Sequence, residues 1–176
     1  MPRISRYELY ATADARFEPA ASRGAVTAYN WATMNLFARR RRAKQLEKDL
    51  GAGLWRQAHD RYVRGLDRYH QILAGVQDDE LHNQLVPIGD ELAAQLPRVY
   101  QLCRTAHAQY PATELRVPAG AQHLHSGLSR AANHLATTAE AEAMARLNHG
   151  RIEAVRHRAD EVLRSLQEAE DHFSDD

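Results

Sequence analysis

The 176-residue chain contains one cysteine, two lysines, three phenylalanines and no net charge, its 23 basic side chains balanced by 23 acidic ones. Each shortage excludes something. A lone cysteine, Cys103, rules out an internal disulfide framework and any thiolate-rich zinc site. The zero net charge supplies no global field to steer nucleic acid or an anionic membrane. No stretch approaches the ~18 uninterrupted apolar residues of a membrane span. The first residues, Met-Pro-Arg-Ile-Ser-Arg-Tyr-Glu, lack the apolar core of a secretory signal, so the expectation is a cytoplasmic chain. The Gly-x-Gly-x-x-Gly and P-loop signatures that cradle phosphates are missing, as is the Gly-x-Ser-x-Gly elbow of nucleophilic hydrolases.

What is abundant is alanine. It accounts for 30 residues, against 34 for Leu, Ile, Val and Phe combined. So low a share of large apolar residues would suggest disorder in a highly charged chain. In a neutral one it points to closely packed helices, because alanine loses no side-chain entropy in a helix and keeps the helix slim.

Apolar periodicity supports that reading. Residues 1–21 carry Tyr7, Leu9, Tyr10 and Phe17 without helical spacing and are expected to form an N-terminal arm. Ser22 is a suitable N-cap for a first helix reaching Leu50, with Gly51 and Gly53 as its stop. Trp55, Ala58, Tyr62, Leu66, Tyr69, Leu73 and Val76 step by three and four residues and define a second. Asp78 can cap a third, from about Asp79 to Tyr110, in which Pro87 and Pro97 predict a kink or break. After the connection 111–118 the register resumes at Leu124, Leu128, Ala131 and Leu135, then turns small and polar through Thr138, Glu142 and Ala145. A last segment runs from Arg151 to Phe173. Unbroken from 119 to 172, a helix would be ~80 Å long at ~1.5 Å per residue, so a break near Gly150 is expected. No strand-like alternation competes. The fold class is therefore all-α, an antiparallel up-and-down helical bundle of four or five main helices, with residues 22–173 as one domain and 174–176 as a frayed acidic tail.

Ten histidines invite a metal reading. Helical metal sites place ligands at i and i+3 or i+4 so that two side chains converge on one ion. No His-x-x-x-His or His-x-x-His occurs. Asp67 with His70, Asp79 with His82, and Glu153 with His157 have suitable spacing, but isolated pairs of this kind ordinarily support their own helices. A metal or small-molecule bundle would have to draw on His70, His82, Glu142 and His149. No cofactor is expected. Cys103 falls on an apolar face, where a free thiol behaves as a small hydrophobe.

The run Arg39-Arg40-Arg41-Arg42, followed by Lys44 and Lys48, is the strongest local anomaly. Four consecutive helical residues ~100° apart cover every side of the helix, and Arg40 falls where the apolar series needs a core residue. It can snorkel to water, pair with an inward carboxylate such as Glu142, or mark a helix that projects to meet a partner. Residues 1–50 carry 10 basic and 5 acidic side chains, whereas residues 151–176 carry 4 and 8. These patterns lead to a non-enzymatic bundle acting through protein–protein contacts or self-association. The alternatives are the metal or small-molecule bundle and an anion-binding module at Arg39 to Arg42. One short basic run on a neutral chain argues against a nucleic-acid partner.

Overall fold

A computed structural model describes residues 40–147 and 151–174, and the chain divides by its contacts into two units, 1–48 and 49–176. The arm 1–21 and most of the first helix lie outside the described residues. Of the first unit, residues 40–48 are helical, and the helix runs on to Leu50. Gly51 stops it with a φ of +69°, a left-handed conformation at the helix end that a side chain would strain. A Cβ there would also come within 2.6 Å of the His107 ring.

The second unit contains α1 (Leu54–Leu73), α2 (Asp79–Ala94), α3 (Leu96–Gln109), α4 (Gln122–Arg146) and α5 (Ile152–Ser174). The expected bundle is therefore present, with no strand among the described residues. The third helix breaks at Pro97, not at Pro87. Gln95 separates α2 from α3, and Pro97 occupies the first turn of α3, where its missing N–H has no helical partner to lose. Pro87 stays inside α2. It lies with Asn83 on the exposed side, where water can reach the carbonyl its ring leaves without a donor. Asp78 caps α2 as its type predicts, its Oδ1 accepting from the Leu81 N–H at 2.7 Å. The long C-terminal register is also broken, since α4 ends at Arg146 and α5 begins at Ile152. Gly150 itself is outside the described residues.

Two tyrosines set the register of the first hairpin. Tyr62 donates from its hydroxyl to the Leu92 carbonyl and Tyr69 to the Leu85 carbonyl, both at 2.9 Å. As the numbers rise on one helix and fall on the other, α1 and α2 run antiparallel. The Leu92 carbonyl, in the last turn of α2, also accepts from the Gln95 N–H at 3.2 Å, so Tyr62 adds a second bond to it. Trp55 donates from Nε1 to the Tyr110 carbonyl at 2.8 Å, tying the start of α1 to the end of α3.

The second hairpin is held by small residues. A methyl built at Gly127 on α4 would lie 2.5 Å from the Cβ of Ala169 on α5, and Arg130 reaches Glu168 one turn away. These pairs make α4 and α5 antiparallel. The two hairpins then meet along α4 and α1. Gly65 packs on Leu135, and Arg61 donates from Nη2 to Oδ1 of Asn133 at 2.8 Å. Gly75 at the far end of α1 faces Arg146, so these two helices run parallel. On the opposite side Arg156 of α5 donates to Glu91 of α2 at 2.6 Å and Arg98 of α3 reaches Glu170 of α5, which makes that pair parallel too. Alpha-4 thus takes α1 and α5 as its main neighbours, and the connection 110–121 carries the chain diagonally across one end of the bundle.

The core is a column of Trp55, Tyr62, Leu66, Tyr69, Leu85, Ile88, Leu92, Val99, Leu124, Leu135, Val155, Val162 and Leu166, each at most 2 % exposed, with alanines between them. Gly127→Ala should overpack the tightest helix contact and cost about 1–3 kcal/mol. Urea unfolding would register this as a lower midpoint at unchanged m-value, and an unaltered midpoint would show that α5 can simply slide away.

Candidate functional site

Two features of the described residues call for a chemical account, one inside the bundle and one outside. Inside is Glu142. It sits on the buried face of α4 together with Leu135, Thr138, Ala139 and Ala145, and is 0 % exposed. Neither carboxyl oxygen has a hydrogen-bond partner. Thr138, four residues earlier, satisfies its hydroxyl by donating to the His134 carbonyl within its own helix at 2.7 Å. Glu142 has no such option. Loss of hydration disfavours the charged form, and its carboxyl is pushed up to about 9 by burial. It is a neutral acid near pH 7. Tyr69, whose hydroxyl is buried and donates to Leu85, feels the Glu142 charge when it forms, and both effects push the phenol further up. Arg156, which acts on Tyr69 in the opposite sense, is occupied by Glu91.

Among the described residues, His70 and His82 do not form with Glu142 a group that could hold a metal ion. His70 is half-buried at the edge of α1, its Nδ1 2.8 Å from the Leu66 carbonyl. Since a carbonyl only accepts, that nitrogen carries the proton. The Nδ1 of His82 on α2 is buried without a hydrogen-bond partner. His149 falls outside the described residues. No group of three or more His, Cys, Asp or Glu side chains converges among the described residues in a way that could hold a metal ion. His157 faces Glu161 at 3.8 Å, so its helical partner is the following acid and not Glu153. Cys103 is buried, with its thiol pushed up to about 12 mainly by desolvation, which leaves it unreactive.

Outside is the basic stretch. Arg40, Arg41, Arg42, Lys44 and Lys48 are all exposed, and Leu46 is only half-buried. Arg40 thus takes the solvent-facing outcome. Arg39 lies outside the described residues. Of the C-terminal acids, Glu168 pairs with Arg130 of α4 and Glu170 with Arg98 of α3.

A further basic surface goes unmarked by the sequence motifs. Arg61, Arg64 and Arg68 line a depression of about 250 Å³ with Gly65, Ala132, Asn133 and Ala136, between α1 and α4. Their i, i+3, i+7 spacing was the available signal, hidden beside the apolar seam it flanks. A second, open recess of about 450 Å³ is framed by the 111–119 connection and Gln122.

No protein-family model, curated protein or solved structure matches this chain. No relative therefore supplies a function.

The burial of Glu142 makes stability depend on pH with a defined sign. Its folded pKa lies above the value of about 4.5 expected when unfolded, so the folded state holds the proton longer. The contribution is fully present below pH 4.5 and is lost as pH rises toward 9. Between pH 4.5 and pH 7 the loss is on the order of 3 kcal/mol. Glu142→Leu removes this term, so its stability advantage over the wild type should widen by that amount across the interval. Denaturant titrations at pH 4.5, 6 and 7 would measure it, and parallel curves for the two proteins would mean that Glu142 is hydrated.

Proposed function

We propose that this chain is a non-catalytic helical-bundle protein working through protein–protein contacts, with the helical stretch 40–48 presented to an acidic surface on its partner. The observation that supports this is the exposure of five cationic side chains, Arg40, Arg41, Arg42, Lys44 and Lys48, with Glu47 as the one acid among them. A core helix does not carry charge on every side, because burying an unpaired guanidinium costs several kcal/mol. A projecting contact helix can. Arginine suits such a contact better than lysine, as its planar fork pairs two-point with carboxylates and is weakly hydrated.

The Glu142 interior fits a binding protein. A neutral, unpartnered acid buried in a packed seam has no access to substrate.

Electrostatic contacts of this kind govern association rate and weaken with salt. The 176-residue chain should bind fluorescent poly-L-glutamate at about 50 mM salt and lose about tenfold or more in affinity at about 200 mM. The triple variant Arg40→Glu, Arg41→Glu, Arg42→Glu should not bind, while its helical content stays that of the wild type. Equal binding by the variant, or none by the wild type at low salt, rules the reading out.

A further inference from the structure

We propose that the groove between α1 and α4 is a binding site for a diphosphate group, either free pyrophosphate or the diphosphate of a nucleotide. This goes beyond the partner contact at residues 40–48 and does not rest on it.

The groove exists because the two helices approach through small residues. Gly65 brings α1 onto Leu135, and Ala132 and Ala136 present nothing longer than a methyl on the α4 side. The floor is therefore low, and an anion can sit close to both backbones. Three arginines rise over it. Residues at i, i+3 and i+7 fall within ~60° of one another around a helix and span ~10 Å along it, so Arg61, Arg64 and Arg68 stand in a row on one side of the depression.

Their states differ in a useful way. Arg61 is half-buried and held by its bond to Oδ1 of Asn133, which orders one guanidinium in advance and leaves most of its five donors unused. Arg64 and Arg68 are exposed and make no ion pair among the described residues. No acidic side chain lines the depression. Holding three like charges along one short groove raises the energy of the empty state, and an anion carrying several charges relieves it.

The size of the site selects the class. A guanidinium grips a phosphate or carboxylate with two parallel N–H bonds. A single phosphate can engage one such fork fully, leaving the rest of the row idle. Two phosphoryl groups joined through one oxygen carry charge enough for all three arginines and fit the ~10 Å row. The volume of about 250 Å³ falls below the ~300–1,000 Å³ of sites that enclose whole drug-sized ligands. The groove thus takes the anhydride, and any nucleoside attached to it lies outside. A polynucleotide is disfavoured, as a short row on a neutral chain offers few phosphate contacts and no long-range field. An acidic peptide is disfavoured as well, because same-side carboxylates on a strand are ~7 Å apart with one charge each.

The test is isothermal titration calorimetry of the full chain with pyrophosphate, orthophosphate, ADP and poly-L-glutamate. Wild type and three variants are compared: Arg64→Gln with Arg68→Gln, Ala136→Leu, and the Arg40, Arg41, Arg42 triple glutamate. Arg64 and Arg68 are exposed, so the glutamine pair retains the fold, and circular dichroism verifies it. Expected are saturable pyrophosphate binding, orthophosphate about tenfold or more weaker, and a loss of about tenfold or more in both groove variants. The triple glutamate variant should bind pyrophosphate as the wild type does, even if its poly-L-glutamate contact is gone. ADP binding equal to pyrophosphate assigns the anhydride alone, and tighter ADP assigns a nucleotide; both support the site. The proposal is overturned if neither pyrophosphate nor ADP binds saturably, if orthophosphate matches pyrophosphate, or if the glutamine pair binds unchanged. It is also overturned if poly-L-glutamate is the one anion whose binding the glutamine pair abolishes.

Discussion

The distance at which α4 meets α1 and α5 governs the rest of the bundle. Half of the buried residues of α4 are glycine or alanine, with Gly127 pressed on Ala169 and Ala131, Ala132, Ala139 and Ala145 buried along its length. Helices that approach this closely gain dispersion contacts over long stretches of backbone. They give up the large side chains that would otherwise fill a wider gap. The scarcity of Leu, Ile, Val and Phe fits that geometry.

The same closeness explains Glu142. In a loosely packed seam a carboxyl would recruit water and stay ionised. Between closely packed helices it is left without a partner and keeps its proton. Burial of an acid with both oxygens unsatisfied costs free energy that an aliphatic residue would not. Tyr69, which feels its charge, and Tyr62 further along α1 show the contrasting solution, since each buried hydroxyl finds a backbone carbonyl.

Much of this was legible in the sequence. The three-and-four spacing from Trp55 to Leu73 marks α1 because its apolar face is continuous, and Asp78 marks the start of α2 because its side chain does one local job. The turn of the α4 seam toward Thr138 and Glu142 was visible too. The break at Pro97, with Pro87 tolerated, was not, because it depends on which carbonyls face water. Nor did the letters place α4 beside α1, since one apolar stripe does not say which other stripe it meets. Arginine spacing on α1 was readable, but it acquires meaning only with the low alanine floor opposite, which belongs to a helix some seventy positions away. The basic run was conspicuous locally, and its exposure needed no long-range information.

The diagonal connection has a consequence for how the molecule assembles. Each hairpin closes through neighbours in the chain, Tyr62 to Leu92 and Arg130 to Glu168, whereas the joints between hairpins link residues such as Arg61 and Asn133 or Glu91 and Arg156. Contacts between nearby residues form before distant ones because they close shorter loops. Within residues 49–174 the contacts inside each hairpin thus close shorter loops than the contacts that join the hairpins. The segment 111–118 acts as a tether that sets their effective concentration. The groove between α1 and α4 takes one wall from each hairpin, so it exists only where the two hairpins meet.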